Sequence, residues 1–373
     1  MSAIPFDGSA AAGSPVFDDR AAPVWSQPQR EAHFWRWFDS IAARHALDRN
    51  SLEVASADAS HRRYFRVGSA SGSRIIMDAP AELENCQPFV TVAQLVLQAG
   101  LKGPQVLAWD QECGFMLLSD LGRQTMLQAL QQDAGSAHSL YLEATKILVQ
   151  WQCASRAGVL APYDEPLLRR ELELFAQWYL GQYRGLGTDR EARLILDEAF
   201  ACIVAQNLAW PNVFVHRDFM PRNLMVGPGG APQVQQESLG VIDFQDAVFG
   251  PVTYDIACLM RDAFVSWEEE FCLDITIRYW ENARRAGLPV GADFGEFYRG
   301  VEWMGVQRHL KVAGIFARLT LRDGKPQYLA DTPRFIAYLR TSCARYRELK
   351  PLLRLIDRVE GLQESGGFAF GRM

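Results

Sequence analysis

Apolar residues recur at intervals of three and four from Glu31 onward, at Phe34, Trp35, Trp37, Phe38, Ile41 and Ala42, and predict an amphipathic helix. The period then shortens. Residues 52–55 and 64–67 flank a polar bend, and 74–77 follow a Gly-Ser turn, the pattern of short strands. Residues 89–99 predict a helix closed by Gly100, with two further strands at 105–109 and 115–118. Beyond Leu121 the helical period dominates, in amphipathic runs at about 139–157, 166–184, 190–207, 253–265, 267–286, 294–319 and 333–357. Three strand-like pieces interrupt them at 213–215, 224–226 and 239–242, with the turn Gly227-Pro228-Gly229-Gly230 between the last two.

Several strands around one helix, followed by mostly helices, predict an α+β fold: a small β-rich lobe at 29–120 and a larger helical lobe at 121–373. Residues 1–28 are rich in Ala, Ser, Pro and Gly without any period and read as a flexible leader. A chain of 373 residues, 49% hydrophobic, is long enough for two lobes with a large core. The net charge of −6 is that of an ordinary soluble protein and argues against a dedicated nucleic-acid binder. Seven cysteines lie far apart with no CxxC pair, which suits a reducing compartment better than a disulfide framework. No apolar stretch reaches membrane-spanning length. The expectation is a cytoplasmic protein with no membrane association and no obligate protein partner.

The chemistry concentrates in Val215-His216-Arg217-Asp218-Phe219-Met220-Pro221-Arg222-Asn223, with Val241-Ile242-Asp243-Phe244-Gln245-Asp246 further on. His-Arg-Asp with Asn five positions beyond the Asp, then a second Asp on an apolar strand, is the phosphoryl-transfer layout of protein-kinase-like enzymes. One carboxylate, Asp218, must orient an attacking hydroxyl and accept its proton. The loop then returns an amide oxygen, Asn223, toward the phosphates. Asp243 completes a Mg²⁺ site, because magnesium prefers hard oxygen ligands and few protein ones. His216 and Arg217 brace the loop rather than react, and Asp246 is a weaker second candidate for the metal.

Together with Gly250-Pro251-Val252-Thr253-Tyr254-Asp255-Ile256-Ala257, these motifs resemble the aminoglycoside phosphotransferase/choline kinase branch of the kinase superfamily. In that branch the glycine after Asp-Phe is replaced, as Gln245 replaces it here. The resemblance implies a bilobal protein-kinase-like fold, ATP as donor and Mg²⁺ as metal. It also implies that Asp255 supports the catalytic loop; a helix-start carboxylate favoured by the dipole is the alternative. Further blocks occur in order: 56–66, Met77-Asp78-Ala79-Pro80, 114–122 and 307–319. This set is similar to bacterial cell-wall-recycling sugar kinases that phosphorylate the anomeric hydroxyl of N-acetylmuramate and N-acetylglucosamine, and implies a small-molecule sugar acceptor. The alternatives are an aminoglycoside or amino-alcohol phosphotransferase and, from another class, a non-catalytic pseudokinase.

Two departures from a standard kinase matter. The bend expected over the phosphates, 56–64, contains no glycine, and Met77 stands where the phosphate-anchoring Lys is expected. Ser60, Arg62 and Arg63 are the candidates to meet phosphate there, since guanidinium forks suit its oxygens. Solvated arginines in an exposed turn are the alternative. Residues 115–118, running into Ser119-Asp120-Leu121-Gly122, read as the interlobe hinge, with the Ser119 carbonyl and Leu121 N–H on the adenine edge and Leu118 beside them. Arg308 and Lys311 share a helix face that is either solvated or turned to an anionic acceptor group. Glu173 and Trp178 are further candidates for the acceptor pocket.

Overall fold

A computed structural model describes residues 23–57, 61–187, 189–227 and 239–363. Among them the chain forms two compact units, one from the residues up to Glu143 with Pro221–Asp246, the other from Ala144–Met220 with the residues from Ala247 onward. The leader expected at 1–28 lies mostly outside the described residues, as do the 228–230 part of the glycine turn and Ser60.

The first unit opens with α1 (Pro28–His45), whose leading proline suits a first turn where an N–H would have no helical partner. Next come β1 (Leu47–Ala57), β2 (Arg63–Ser69), β3 (Gly72–Asp78), α2 (Gln87–Gln98), β4 (Val106–Asp110) and β5 (Phe115–Ser119). The strands pair antiparallel in the order β1-β2-β3-β5-β4. β1 starts well before its apolar run because the polar stretch after Asp48 is carried as an irregularity before pairing resumes at Glu53.

Phe34, Trp37 and Phe38, the buried face of α1, pack on Phe65, Val67, Ile76, Phe115 and Leu117 of the sheet. The alternate residues Met77, Met116 and Leu118 are buried too, so the central strands are covered on both faces. At the end of β3, Asp78 is buried between Arg30 of α1 and Arg63 of β2, whose Nε atoms lie 3.1 and 3.0 Å from it. Two short elements absent from the sequence reading follow, β6 (Gln124–Thr125) and α3 (Met126–Gln132). A reciprocal cap between Thr125 and Gln128 starts that helix.

The chain passes into the second unit within α4 (Ala137–Cys153). α5 (Glu165–Leu174) continues as a π-helical segment, Phe175–Tyr183, before α6 (Arg190–Leu208) and β7 (Asn212–Val215). β8 (Leu224–Val226) and β9 (Gly240–Val241) return to the first unit and pair as β6-β8-β9. β10 (Val248–Pro251) pairs antiparallel with β7. It was not anticipated, because a short run containing glycine and proline carries little strand signal. α7 (Tyr254–Met260), α8 (Glu269–Arg285), α9 (Phe294–Leu321), α10 (Thr332–Arg345) and α11 (Lys350–Glu360) complete the unit. The single helix expected over 333–357 is broken at Tyr346, which is extended, and Pro351 restarts it in the first turn of α11. No helix among the described residues is long and apolar enough to cross a membrane.

α9 is buried along most of its length and packs against α5, the π-helical segment, α6, α7 and α10. The approach is closest at Gly314, where a Cβ would lie 2.3 Å from the carbonyl carbon of Leu174. Gly314→Ala should therefore lower the unfolding free energy by about 1–3 kcal/mol, the usual cost of overpacking. Denaturant melts check this; a variant as stable as the parent would contradict the close approach.

Candidate active site

The His-Arg-Asp loop leaves β7 directly after Val215 and is held by its backbone. Asp255, second residue of α7, accepts the His216 N–H at Oδ2 (2.7 Å) and the Arg217 N–H at Oδ1 (3.0 Å). It is fully buried, and burial pushes its carboxyl up to about 7 against those two donors and the nearby Arg308. Arg217 takes a left-handed conformation, φ 77°, uncommon for a residue with a side chain. The ring of the buried His216 accepts the Asp218 N–H at Nδ1 (3.2 Å) and stands edge-on to Phe219. Asp218 is half-buried. Its carboxylate lies in the field of Arg217, Arg308 and Lys311, all in the same unit.

Asn223 and Asp243 meet in the first unit. Asn223 ends a single 3₁₀ turn, Pro221–Asn223, and its carbonyl accepts the Ile242 N–H at 3.1 Å. Its Nδ2 donates to Asp243 Oδ2 at 3.2 Å. Gln245, in the position of the missing glycine, donates from Nε2 to Asp243 Oδ1 at 2.9 Å. Asp243 itself is left-handed, φ 64°, a region that short polar side chains tolerate better than most. The next residue, Phe244, is buried and packs on Phe89 with ring centroids 5.2 Å apart.

These groups suit a hard divalent cation. Gln245 Oε1 is buried without a hydrogen-bond donor among the described residues, an oxygen beside the Asn223–Asp243 pair. No group of three or more His, Cys, Asp or Glu side chains is gathered for a metal among the described residues. The Asn223 and Asp243 oxygens are hard ligands of the kind magnesium takes, which draws much of its shell from phosphate and water.

A cleft of about 520 Å³ lies in the first unit, lined by Ser119, Leu121, Gly122, Lys102, Gly103 and Met225 among others. The 119–122 turn at its edge is pinned by Asp120. That carboxylate accepts Arg66 Nε (2.7 Å), Ser73 Oγ (2.7 Å) and the Gly122 N–H (2.9 Å). Burial opposes its charge, but these donors hold it below the usual carboxylate range. The hydroxyl of Ser119 is taken by the Gln105 N–H, whereas no hydrogen bond among the described residues uses the Leu121 N–H. Leu118 is buried beside the turn. Lys102 went unnoticed in the sequence because a lone lysine after a helix carries no signal. Here its carbonyl accepts the Val241 N–H at 2.8 Å and ties the cleft to β9.

The arginines before β3 are engaged. Arg62 is buried and bridges Glu84 at 3.0 Å, while Arg63 is held by Asp78 and stacks on Trp25. Burial works against the Arg62 charge, but Tyr64 and Glu84 raise its hold on the proton. Met77, paired with Tyr64 and Met116, has no exposure at all. Among the acceptor candidates, Glu173 is half-exposed and paired with Arg193, and Trp178 is half-buried on the π-helical segment. Arg308 and Lys311 are not on a solvated face. Both are buried within α9, Arg308 against the Arg217 carbonyl (2.8 Å) and Lys311 against Glu171 (2.8 Å).

Residues 51–292 match the phosphotransferase enzyme family. The chain belongs to that family. It is 46% identical over 346 residues to a Neisseria meningitidis serogroup B protein named N-acetylmuramate/N-acetylglucosamine kinase, covering 92% of this chain and all of that one. A protein of the same name from Pseudomonas aeruginosa is 49% identical over 305 residues, covering 82% of this chain and 87% of its own. Among solved structures, a Plasmodium vivax ethanolamine kinase aligns over 92% of this chain and 93% of its own, with TM-score 0.59 and 12% identity. This phosphotransferase thus has the α+β kinase-like fold expected from its sequence.

The buried Asp255 sets a pH dependence. Its ordinary value is 3.8, so between about 4 and 7 the folded phosphotransferase keeps a proton that the unfolded chain has released. Its contribution to stability is greatest at the acid end and falls as pH rises through 7. The stability gap between the parent and Asp255→Asn should narrow by roughly 1–4 kcal/mol from pH 4 to pH 8. Urea melts across that range check it, and a gap that ignores pH would remove Asp255 as a titrating group.

Proposed function

We propose that this phosphotransferase moves the γ-phosphoryl group of ATP to the anomeric hydroxyl of N-acetylmuramate or N-acetylglucosamine, giving a sugar 1-phosphate for peptidoglycan recycling. The observation that carries the reading is near-full-length similarity to the Neisseria protein of that name, 46% identical across 92% of this chain. The half-sites support it chemically. Asp218 orients the acceptor hydroxyl and takes its proton, while His216, Arg217 and Asp255 fix the loop that presents it. Asn223 and Asp243 would hold Mg²⁺, which when bound offsets charge on the phosphates. Arg62, with Glu84 behind it, is assigned to the phosphates in place of the missing Lys. Arg63 serves Asp78 instead. The Ser119 carbonyl and Leu121 N–H are assigned to the adenine edge, with Leu118 packing the wall. Transfer is direct, so no phospho-enzyme forms. The setting is the cytoplasm, where ATP is supplied and seven unbridged cysteines are at home.

Asp218→Asn should lower kcat by about 10²- to 10⁴-fold, the usual worth of a general base, with ATP affinity retained. Arg62→Ala and Asp243→Ala should instead weaken binding of Mg·ATP, roughly ten- to a hundredfold for the arginine. Steady-state kinetics with calorimetry separate the two patterns. Near-normal kcat in a folded Asp218→Asn protein would remove Asp218 as the base.

The acceptor has its own chemical signature. A sugar phosphorylated at C1 can no longer open its ring. The product should therefore be acid-labile, fail a reducing-sugar assay and show phosphorus coupling to the anomeric proton. A product that still reduces, or turnover of aminoglycosides or choline with none of either amino sugar, would sink the acceptor assignment and leave phosphoryl transfer standing.

A further inference from the structure

Arg217 is a strained residue held at its N–H, its carbonyl and one guanidinium nitrogen. A side chain at φ 77° persists only where its surroundings over-determine it. Its N–H goes to Asp255 of α7, and its carbonyl accepts from Arg308 Nη1 of α9 (2.8 Å) and from the Cys258 thiol (3.5 Å). Its guanidinium reaches Glu171 Oε1 of α5 at 2.5 Å. Three helices therefore set the orientation of one residue, and the next residue is Asp218.

Glu171 is the centre of that hold. Oε1 is shared by Arg217 and by Lys311 Nζ at 2.8 Å. Oε2 accepts Gln307 Nε2 at 2.9 Å and the Tyr163 hydroxyl. Lys311 reaches on to the Tyr254 hydroxyl (3.3 Å), and the Arg308 guanidinium lies 5.1 Å from the Tyr254 ring. Glu171, Gln307, Arg308 and Lys311 are all at least nine-tenths buried. Little of these charges faces water, and Glu171, Arg308 and Lys311 each meet partners inside the helical unit.

We propose that Glu171, Lys311 and Arg308 form a clamp that holds Arg217 in its left-handed turn and so aims Asp218, making them positioning residues of the transfer step rather than acceptor contacts. The clamp rests on the reading of Asp218 as the base. It acts through the backbone turn of the arginine, beside the field that Arg308 and Lys311 put on Asp218. Lys311 fixes the position of Glu171 from α9, so removing Lys311 lets the carboxylate shift and Arg217 with it, and removing Glu171 takes away the carboxylate that the Arg217 guanidinium meets on α5.

The test uses the full-length protein with Glu171→Gln, Lys311→Met and Lys311→Arg, each alone and in an Arg217→Gly background. Glycine accepts the left-handed turn without a tether. In the parent background, Glu171→Gln and Lys311→Met should cut kcat roughly ten- to a hundredfold, the scale of an ångström misplacement of a reacting group. ATP affinity by calorimetry and the acceptor KM should stay within about threefold. Lys311→Arg should recover most of the loss. In the Arg217→Gly background the same substitutions should add little further loss. A raised acceptor KM with kcat kept, or full additivity on Arg217→Gly, overturns the clamp.

Hydrogen exchange gives a readout that needs no acceptor. The amides of His216 and Arg217 are taken by Asp255, outside the clamp, so the clamp is read from the change: Glu171→Gln and Lys311→Met should speed exchange at Arg217 and Asp218 about tenfold over the parent, with α8 and α11 unchanged. Unchanged exchange at Arg217 and Asp218 overturns the clamp as well. If neither amino sugar is turned over, the acceptor reading fails while the exchange result still decides this one.

Discussion

A carboxylate withdrawn from water keeps its charge where cations and donors replace the lost hydration, and in the helical unit Glu171 is the carboxylate that does so beside the His-Arg-Asp loop. Burial alone would raise its pKa, yet Lys311 and Arg217 bring it down to about 2. The elements it gathers are remote in sequence: α5, the loop after β7 and α9. Their registers agree. Leu174 lies one turn beyond Glu171 on α5, and Gly314 one turn beyond Lys311 on α9, and these two meet where a Cβ would fall 2.3 Å from the Leu174 carbonyl carbon. The missing side chain lets the helices approach, and the approach brings the ammonium onto the carboxylate. Packing and electrostatics are one constraint here, since neither is met at another register.

The same rule organises the sheet unit with arginines in place of lysine. Asp78 is met by Arg30 and Arg63, Asp120 by Arg66, and Glu84 by Arg62. Each acid anchors a different junction: helix α1 to the sheet, the 119–122 turn to β2 and β3, and the bend before β2 to the stretch before α2. This also accounts for Met77. The central strands are covered on both faces, so a lysine at that position would need a partner carboxylate in an apolar layer. Basic groups come instead from the strand edge, where Arg62 has Glu84 within reach.

Much of this was legible in the chain. The three-and-four period of α1 identified Phe34, Trp37 and Phe38, and the short apolar runs located β2, β3 and β5. Asp218, Asn223 and Asp243 stood out as candidates because the chemistry read from them demands fixed offsets within short segments, and folding brings Asn223 onto Asp243 at 3.2 Å. Arg308 and Lys311 could not be understood that way. A sequence pattern takes the polar stripe of a helix to face water, but α9 buries Arg308, His309 and Lys311 together against partners as far away as Glu171 and Arg217. Buried polar residues are defined by partners that folding supplies, and no local period reports them. Short paired elements such as β6 and β10 escaped for the same reason, since their strand character comes from the neighbour.

Two of the three described residues with side chains in the left-handed region, Arg217 in the helical unit and Asp243 in the sheet unit, share a logic. Glycine would take either conformation without strain. It would also remove the pair with Glu171 at one position and the carboxylate beside Asn223 and Gln245 at the other. The strain is therefore tied to the side chain that each position needs, and it is contained by contacts that reach it from several directions. Asp243 is gripped through both carboxylate oxygens by Asn223 and Gln245, and Arg217 through its N–H, carbonyl and guanidinium. Gln245 in place of the kinase glycine fits this reading. An amide there gives Asp243 a donor that glycine lacks, and the substitution tightens the carboxylate instead of loosening the loop.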